Sequence, residues 1–474
     1  MIEGLHPYPE YKVSRLPWAP EIPSHWELVP NRALLKRRKA LVGKEHVKFQ
    51  LLSLTKGGVI VRDISTGKGK FSSDMGTSQE VRPGDFIFCL FDIPETPRTV
   101  GLSKHRGMIT SAYTLFEPRN LSSVEARYLE QFYIAMDNRK LLSPLYSGLR
   151  NTIPPSRFLG AKTPRPSSDE QAAIVRFLDH ANGKIERFIR AKRKLIGLLN
   201  EQKRFIINRA VTRGLDPHVP LKPSGIPWLG DIPKHWEAPL LGRFLSKIEQ
   251  GWSPVAAEGA LTDQQWCVLT LSSVRRGVFD PAAVKPIKAS EVIPREIEVH
   301  NGDFLLTRSN TRERVGDVCI VEEARQRTLL CDLIYRLSLR KDALVPRFLM
   351  LQLLCYFGRG QIERDARGSS GTMPKISQGH IKSWRVLLPA IQEQKDIVAT
   401  IARESEPIND AIVQAQRETA LIEEYRTRLV ADVVTGKLDV RAAAAKLPEI
   451  SPEDLSAGEI PAGDEESDTG EADE

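Results

Sequence analysis

PSSDEQAAIVRFLDHANGKIERFIRAKRKLIGLLNEQKRFIINRAVTRGLD, residues 166–216, recurs without a gap as PAIQEQKDIVATIARESEPINDAIVQAQRETALIEEYRTRLVADVVTGKLD, residues 389–439. One constant offset aligns Pro166 with Pro389, Glu170-Gln171 with Glu393-Gln394, Ile174 with Ile397, Leu178 with Ile401, Ile185 with Ile408, Ile189 with Ile412, Leu199 with Ile422 and Asp216 with Asp439. Apolar positions matched at one shift mark a duplicated element. In the first copy Ile174, Leu178, Ala181, Ile185, Phe188, Lys192, Leu195, Leu199 and Ile206, with Gln202 in register, fall at three- and four-residue steps. That is the seam of a coiled coil, and a seam needs a partner. Pro166 followed by Ser167, Ser168 and Asp169 supplies a helix start, and Gly214 and Gly436 mark the two ends. At about 1.5 Å per residue, Asp169 to Phe205 makes a rod of roughly 55 Å. A lone amphipathic helix serves equally well as a staple inside a fold; two equal copies, each following a domain-sized segment, favour a spacer.

A second repeat precedes each globular segment. YPEYKVSRLPWAPEIPSHWE (residues 8–27) returns as HVPLKPSGIPWLGDIPKHWE (residues 218–237), with Pro17/Pro227, Trp18/Trp228, Ile22/Ile232, Pro23/Pro233, His25/His235 and Trp26/Trp236 identical. The chain is therefore two tandem copies of one unit. The prolines fix an extended path without needing ladder partners, and the tryptophans can plug apolar seats on neighbouring elements. His25 and His235 read as structural, because no nucleophile accompanies them.

The segments in order are an N-terminal connector (1–27), a first globular segment (28–165), a first helix (166–216), a repeat connector (217–237), a second globular segment (238–388), a second helix (389–440) and an acidic tail (441–474). The globular segments mix strand-like runs such as Val59-Ile60-Val61 and Phe86 to Leu90 with a helical stretch around Val124 to Met136. Gly84-Asp85-Phe86 and Gly302-Asp303-Phe304 are matching turns into strands. Elsewhere these two segments diverge far more than the connectors and helices do. A repeated frame with unlike inserts suits a reader of two unlike half-sites.

The 474 residues are enough for roughly three domains with substantial cores. No apolar run approaches the roughly 20 residues of a membrane span and the N-terminus lacks a signal pattern, so a cytoplasmic protein with no membrane partner is expected. Cys89, Cys267, Cys319, Cys331 and Cys355 form no metal-ligand spacing and read as reduced core residues. Net charge is +8, but eleven acidic residues and no Lys or Arg follow Leu447, which leaves +19 on the remainder. That excess suits a polyanion. The tail itself, acid-, Gly- and Pro-rich, is expected to be disordered, with solubilisation or competition for the basic surface as its possible uses.

Catalytic signatures are lacking: there is no phosphate loop, no nucleophile elbow and no amino-methyltransferase tetrapeptide. Glu201-Gln202-Lys203 and Glu393-Gln394-Lys395 echo half of a nuclease motif but fall on the helices, which makes coincidence the better reading. No metal site is expected. Binding candidates are Lys36, Arg37, Arg38, Arg98, Lys104, Arg106, Arg150, Asn151 and Thr152 in the first segment. In the second they are Arg308, Asn310, Arg312, Arg314, Arg367, Ser369, Ser370, Thr372 and Lys375. Arginine pairs bidentately with guanine and Asn with adenine, whereas lysines and amides hold phosphate. A solvated charged face is the alternative for any one of them.

With these residues in view, the chain resembles the DNA-specificity subunit of Type I restriction-modification enzymes. The resemblance covers about Tyr8 to Val440 and rests on the twice-used connector, GDFLLTRSNTRERVG (residues 302–316) and the P-x-x-x-E-Q-x-x-I entries at Pro166 and Pro389. It implies an α+β architecture: two target-recognition domains separated by an antiparallel pair of long coiled-coil helices in a pseudo-twofold tandem duplication. Each domain would read half of a bipartite double-stranded DNA target. Ile174, Leu178, Ile185, Leu199, Ile397, Ile401, Ile408 and Ile422 would pack the helices together. Two methyltransferase subunits and restriction/translocase subunits would dock on the chain and carry S-adenosylmethionine, ATP and Mg, while this chain carries no cofactor and no catalytic site. The acidic tail departs from the family pattern. The competing expectations are a stand-alone DNA-binding regulator without enzymatic partners and, more remotely, a self-sufficient nuclease or methylase.

If helix length sets the gap between half-sites, four residues inserted after Lys192, about one turn, change the preferred gap and leave both half-sites intact. Sequencing the methylated sites of the inserted variant checks this; an unchanged gap counts against it.

Overall fold

The computed structural model describes residues 5–62, 75–259, 261–262, 264–340, 342–366 and 373–448. It divides into two units, Met1–Arg193 with Gln416–Glu474, and Lys194–Ala415. In the first, a connector hairpin of β1 (Tyr11–Leu16) and β2 (Ala19–Pro23) leads to an antiparallel sheet. Its strands are β3 (Leu35–Arg38), β4 (Phe86–Phe88), β5 (Val100–Leu102) and β6 (Thr114–Pro118), in the order β3-β6-β4-β5. Helix α1 (Ser123–Asn138) follows, its start closed by a reciprocal capping box of Ser122 and Glu125. The long helix α2 (Ser168–Arg213) begins in this unit and ends in the other.

The second unit repeats the plan. A hairpin of β7 (Leu221–Pro223) and β8 (Asp231–Pro233) precedes β9 (Leu245–Gln250), β10 (Phe304–Thr307), β11 (Val318–Ile320) and β12 (Ile334–Leu339). The sheet order is β9-β12-β10-β11, the counterpart of the first, and all three pairings are antiparallel. The second long helix is α3 (Ile391–Val434), whose last part, from Gln416, returns to the first unit. The connectors do pair as short ladders: Lys12 pairs Ile22 and Lys222 pairs Ile232.

The repeated helix entry has a specific task. Gln171 Nε2 donates to the Pro166 carbonyl at 2.9 Å, and Gln394 Nε2 donates to Pro389 at 3.0 Å. The neighbouring glutamates reach back to the connectors. Glu170 accepts from Trp26 Nε1 at 3.0 Å and lies 2.9 Å from His25 Nε2; Glu393 accepts from Trp236 Nε1 at 3.0 Å and lies 3.0 Å from His235 Nε2. Trp26 and Trp236 are fully buried. The histidines are clamp residues, as their sequence context suggested. Trp228 does not plug a seat as expected: it stays 38% exposed, with the Arg364 guanidinium 5.2 Å from its ring centre. Stacking on a cation keeps one face of the indole out of the core.

The helices pair in antiparallel fashion within each unit. In the first, Glu186 meets Arg426 at 3.2 Å and Lys192 meets Glu418 at 2.5 Å, so one index rises as the other falls. In the second, Lys203 Nζ donates to Asn409 Oδ1 at 2.8 Å. Ile174, Leu178, Ile185, Ile397, Ile401 and Ile408 are buried, and Leu199 and Ile422 half-buried. The seam phase differs from the expectation at three positions. Phe188 and Leu195 are each 40% exposed, while Ile189 is buried and Ile196 half-buried; Gln202 is exposed and Lys203 takes its place. Residues 185, 192, 199 and 206 belong to either phase, because a heptad repeat leaves the alternate step free to be three or four. Here it is four, giving 185-189-192-196-199-203-206. The helix ends at Arg213, just before the Gly214 expected to mark its end, and its 46 residues span roughly 69 Å, longer than the Asp169 to Phe205 rod.

All five cysteines are buried and unpaired. Burial pushes the Cys319 and Cys331 thiols up to about 12. No helix among the described residues is long and apolar enough to cross a membrane.

Each long helix ends at a glycine with positive φ, Gly214 at 76° and Gly436 at 79°, a conformation that burdens any Cβ. A Cβ on Gly214 would lie 3.4 Å from Trp236 Cζ2, whereas one on Gly436 would drive into the Pro23 ring. Gly436→Ala is expected to destabilise by about 2–4 kcal/mol and Gly214→Ala by only about 1–2 kcal/mol, compared by urea denaturation; the reverse order would contradict the contacts.

Candidate nucleic-acid interface

The turn entering β4 and the turn entering β10 are built alike. Gly84 N donates to Ser103 and Gly302 N to Val321, both at 2.7 Å. The following aspartate is fixed by an amide three residues back, Arg82 N to Asp85 Oδ2 at 2.7 Å and His300 N to Asp303 Oδ2 at 2.9 Å. Each carboxylate also holds an arginine of the same sheet: Arg38 on β3 reaches Asp85, and Arg336 on β12 reaches Asp303 at 3.1 Å. These pairs lock the start of the strand whose far end carries the candidate loops.

Beyond each strand end, one backbone hydrogen bond gathers two remote segments. Ile153 N donates to the Leu90 carbonyl, and Ile376 N to the Arg308 carbonyl, both at 2.8 Å. Residues 90–98 are thereby brought beside 147–152, and residues 308–314 beside 373–375. Sequence spacing brought neither pair together.

In the first unit, Ser147 and Thr152 exchange two backbone hydrogen bonds at 2.8 and 3.1 Å, closing a short loop over Gly148 (φ 70°) and Asn151 (φ 43°). Glycine takes the left-handed region freely and asparagine tolerates it. Arg150, at its tip, forks onto Asp92, with Nε at 3.2 Å from Oδ1, and lies 5.7 Å from the Phe91 ring centre. Its side chain is 71% exposed. An exposed pair of this kind is worth roughly 0–1 kcal/mol, so a phosphate or base edge can displace the aspartate. Asn151 is exposed and Thr152 half-buried.

Other first-unit candidates divide into two groups. Lys36 is exposed beside Glu117 at 3.2 Å, Arg37 and Lys104 are exposed, and Arg106 is exposed with its guanidinium 3.2 Å from Glu80 and 5.9 Å from the Phe49 ring centre. Hydrogen bonds from Arg82 and then Arg106 hold the Glu80 carboxyl below its ordinary value. Arg38 and Arg98 have another occupation. Arg38 is sunk between Asp85 and Glu80, and Arg98 is held by Asp137 at 3.3 Å and Asn138 at 3.0 Å. Their charges are consumed inside the unit, which removes them from the candidate surface.

In the second unit, Arg312 and Arg314 are exposed on the loop after β10, and Lys375 is exposed on the segment paired with Ser309. Arg308 is half-buried, its guanidinium 5.9 Å from the Tyr335 ring centre. Asn310 is buried and its Oδ1 accepts from Thr311 N at 2.8 Å, so it shapes the loop from within. Arg367, Ser369, Ser370 and Thr372 lie outside the described residues. The sequence reading missed Asp92, and it missed Arg359, which donates to the Val315 carbonyl at 2.9 Å and so braces the 308–314 loop from a distant helix.

No family model matches the chain. The EcoKI specificity subunit of Escherichia coli strain K12, a Type I restriction enzyme component, is 23% identical over 477 residues, which cover 93% of this chain and 98% of that protein. The EcoEI specificity subunit of Escherichia coli is 25% identical over 209 residues, 44% of this chain and only 35% of that protein. A chain from a solved structure concerned with complex assembly and conformational transition of the type I R-M system covers 87% of this chain at a TM-score of 0.54 and 16% identity, a likeness of fold. The chain is similar to Type I specificity subunits, in the case of EcoKI along nearly its whole length. In this chain the duplicated frame carries two loop pairs at matching places, and their residues differ almost throughout.

Arg38→Ala leaves Asp85 buried without its cation and is expected to cost about 3–5 kcal/mol in urea denaturation. Lys36→Ala, at an exposed pair, should change stability by under about 1 kcal/mol.

Proposed function

We propose that this chain is a specificity subunit that binds double-stranded DNA and reads a bipartite target, each unit contacting one half through its paired loops. The observation that carries the reading is the equivalence of the Leu90–Ile153 and Arg308–Ile376 junctions, which present unlike side chains from one repeated frame. Exposed arginines at these loops can fork onto guanine, and the exposed lysines can hold phosphate. The chain is non-catalytic on this reading. It docks methyltransferase and restriction subunits: two methyltransferase subunits with S-adenosylmethionine, and restriction/translocase subunits with ATP and Mg.

Likeness to specificity subunits along nearly the whole chain favours this over a stand-alone regulator. Co-purification from the native host tests the choice, since methyltransferase subunits should accompany the chain and a regulator would arrive alone. Mapping methylated adenines across the host genome, with and without this gene, reads out the target: a bipartite motif lost with the gene is expected, and an unchanged methylation map would overturn the proposal.

Two outcomes follow for binding. A complex neutralising about 6–10 phosphates loses roughly 10³ to 10⁵ in affinity between 50 and 200 mM salt. Arg308→Ala, if Arg308 reads a base, costs about 1–3 kcal/mol and relaxes one base of one half-site; a phosphate contact would weaken all sequences alike. Titrations against the mapped target and its single-base variants distinguish the two.

A further inference from the structure

The loop that Ser147 and Thr152 close in the first unit has an apolar tip to which its cations give no task. Inside it Asn151 N donates to the Gly148 carbonyl at 3.3 Å, which makes Leu149 and Arg150 the two central residues of a β-turn. Leu149 is as exposed as a free side chain, at 104%. Resting on the target-reading proposal above, we propose that Leu149 reads a thymine, laying its side chain on the 5-methyl group in the major groove. It would thereby set the specificity of one base pair in the half-site of the first unit.

The backbone does not ask for leucine here. Turn tips favour Gly, Pro, Asn, Asp and Ser, and the left-handed positions of this loop, Gly148 and Asn151, flank the tip without occupying it. Nor does the fold gain from the residue, because an apolar side chain stabilises only by leaving water. One exposed leucine is commonplace; this one is held out on a fixed support. The Arg150 carbonyl accepts from Asp92 N at 3.0 Å, its guanidinium forks onto the Asp92 carboxylate, and Ile153 N ties the base of the loop to Leu90. The tip thus keeps its shape before DNA arrives, and little freedom is lost on contact.

Charge alone would make the loop a holder of phosphate. An arginine and a leucine side by side on one turn fit a surface that is anionic and carries an apolar spot. Among the groups that base pairs present in the major groove, the thymine methyl is the apolar one. Cytosine presents an amino donor there instead, from which leucine can accept nothing, so the contact separates T from C. The groove is about 12 Å wide and admits a two-stranded ribbon, which the paired ends of this loop resemble. The matching junction of the second unit carries an exposed apolar side chain too. Met373, 40% exposed, lies three residues before Ile376 as Leu149 lies four before Ile153. An apolar side chain beside the cations is therefore common to both copies of the frame, while its identity differs.

The test titrates the full chain, purified with the subunits that accompany it, against a duplex carrying the bipartite motif of the methylation map. Copies of that duplex replace each thymine in turn by deoxyuridine, which lacks only the methyl group. One replacement, in one half-site, is expected to weaken wild-type binding about three- to fivefold through a contact that Leu149 makes. Leu149→Ala should bind the thymine duplex about fivefold more weakly or worse and no longer distinguish it from that deoxyuridine copy. Leu149→Met, which keeps an apolar tip, should retain the preference. The proposal is overturned if no deoxyuridine weakens wild-type binding, or if the wild-type pattern persists unchanged in Leu149→Ala. A leucine wedged between stacked bases, or seated on a partner subunit, would give the second result. Preference of the wild type for the mapped duplex over a scrambled one, with either of those results, sinks this inference alone; no such preference sinks target reading and this inference with it.

Discussion

The structure depends on one clamping carboxylate used twice, buried at Glu170 and half-buried at Glu393. Glu170 is almost inaccessible, and it takes the Trp26 indole and His25 ring at once; Glu393 does the same for Trp236 and His235. Hydrogen bonds to an ionised carboxylate are about twice as strong as neutral ones, and leaving such a group unsatisfied inside the protein costs more than the bonds contribute. The partners lie 144 to 158 positions apart, on either side of a globular segment. Each clamp therefore clasps the beginning of an insert to its end, and what lies between can vary in sequence without loosening the clasp.

That separation of tasks explains what could be read from the residues. The duplication was legible because the clamp, the glutamine that bonds its own helix entry and the glycine ends all need particular side chains at particular offsets. The GDF turns were legible for the same reason. The seam was legible in period but not in phase: Ile185, Lys192, Leu199 and Ile206 fit two heptad assignments, and only the partner helix chooses between them. Trp228 was misjudged because its partner, Arg364, comes from a remote helix.

The candidate interface was legible as a set of cationic stretches and not as a surface. The junctions that gather it, Leu90 with Ile153 and Arg308 with Ile376, are backbone hydrogen bonds, and backbone leaves no mark in residue type. Nor could composition separate Arg37 from its neighbour Arg38. Alternation along β3 exposes one and turns the other toward Asp85, so adjacent residues of one type have opposite fates.

The division of the chain also bears on its birth. The second unit is one continuous run, Lys194–Ala415, whereas the first is assembled from the earliest and the latest residues to be made. Ile174, Leu178 and Ala181 share a core with Leu429, Val430, Val433 and Val434. At about 5–20 residues per second, these apolar side chains wait roughly ten to fifty seconds on the ribosome before their partners emerge. The nascent chain thus leaves this seam of the first unit without its partner helix until the later stretch emerges.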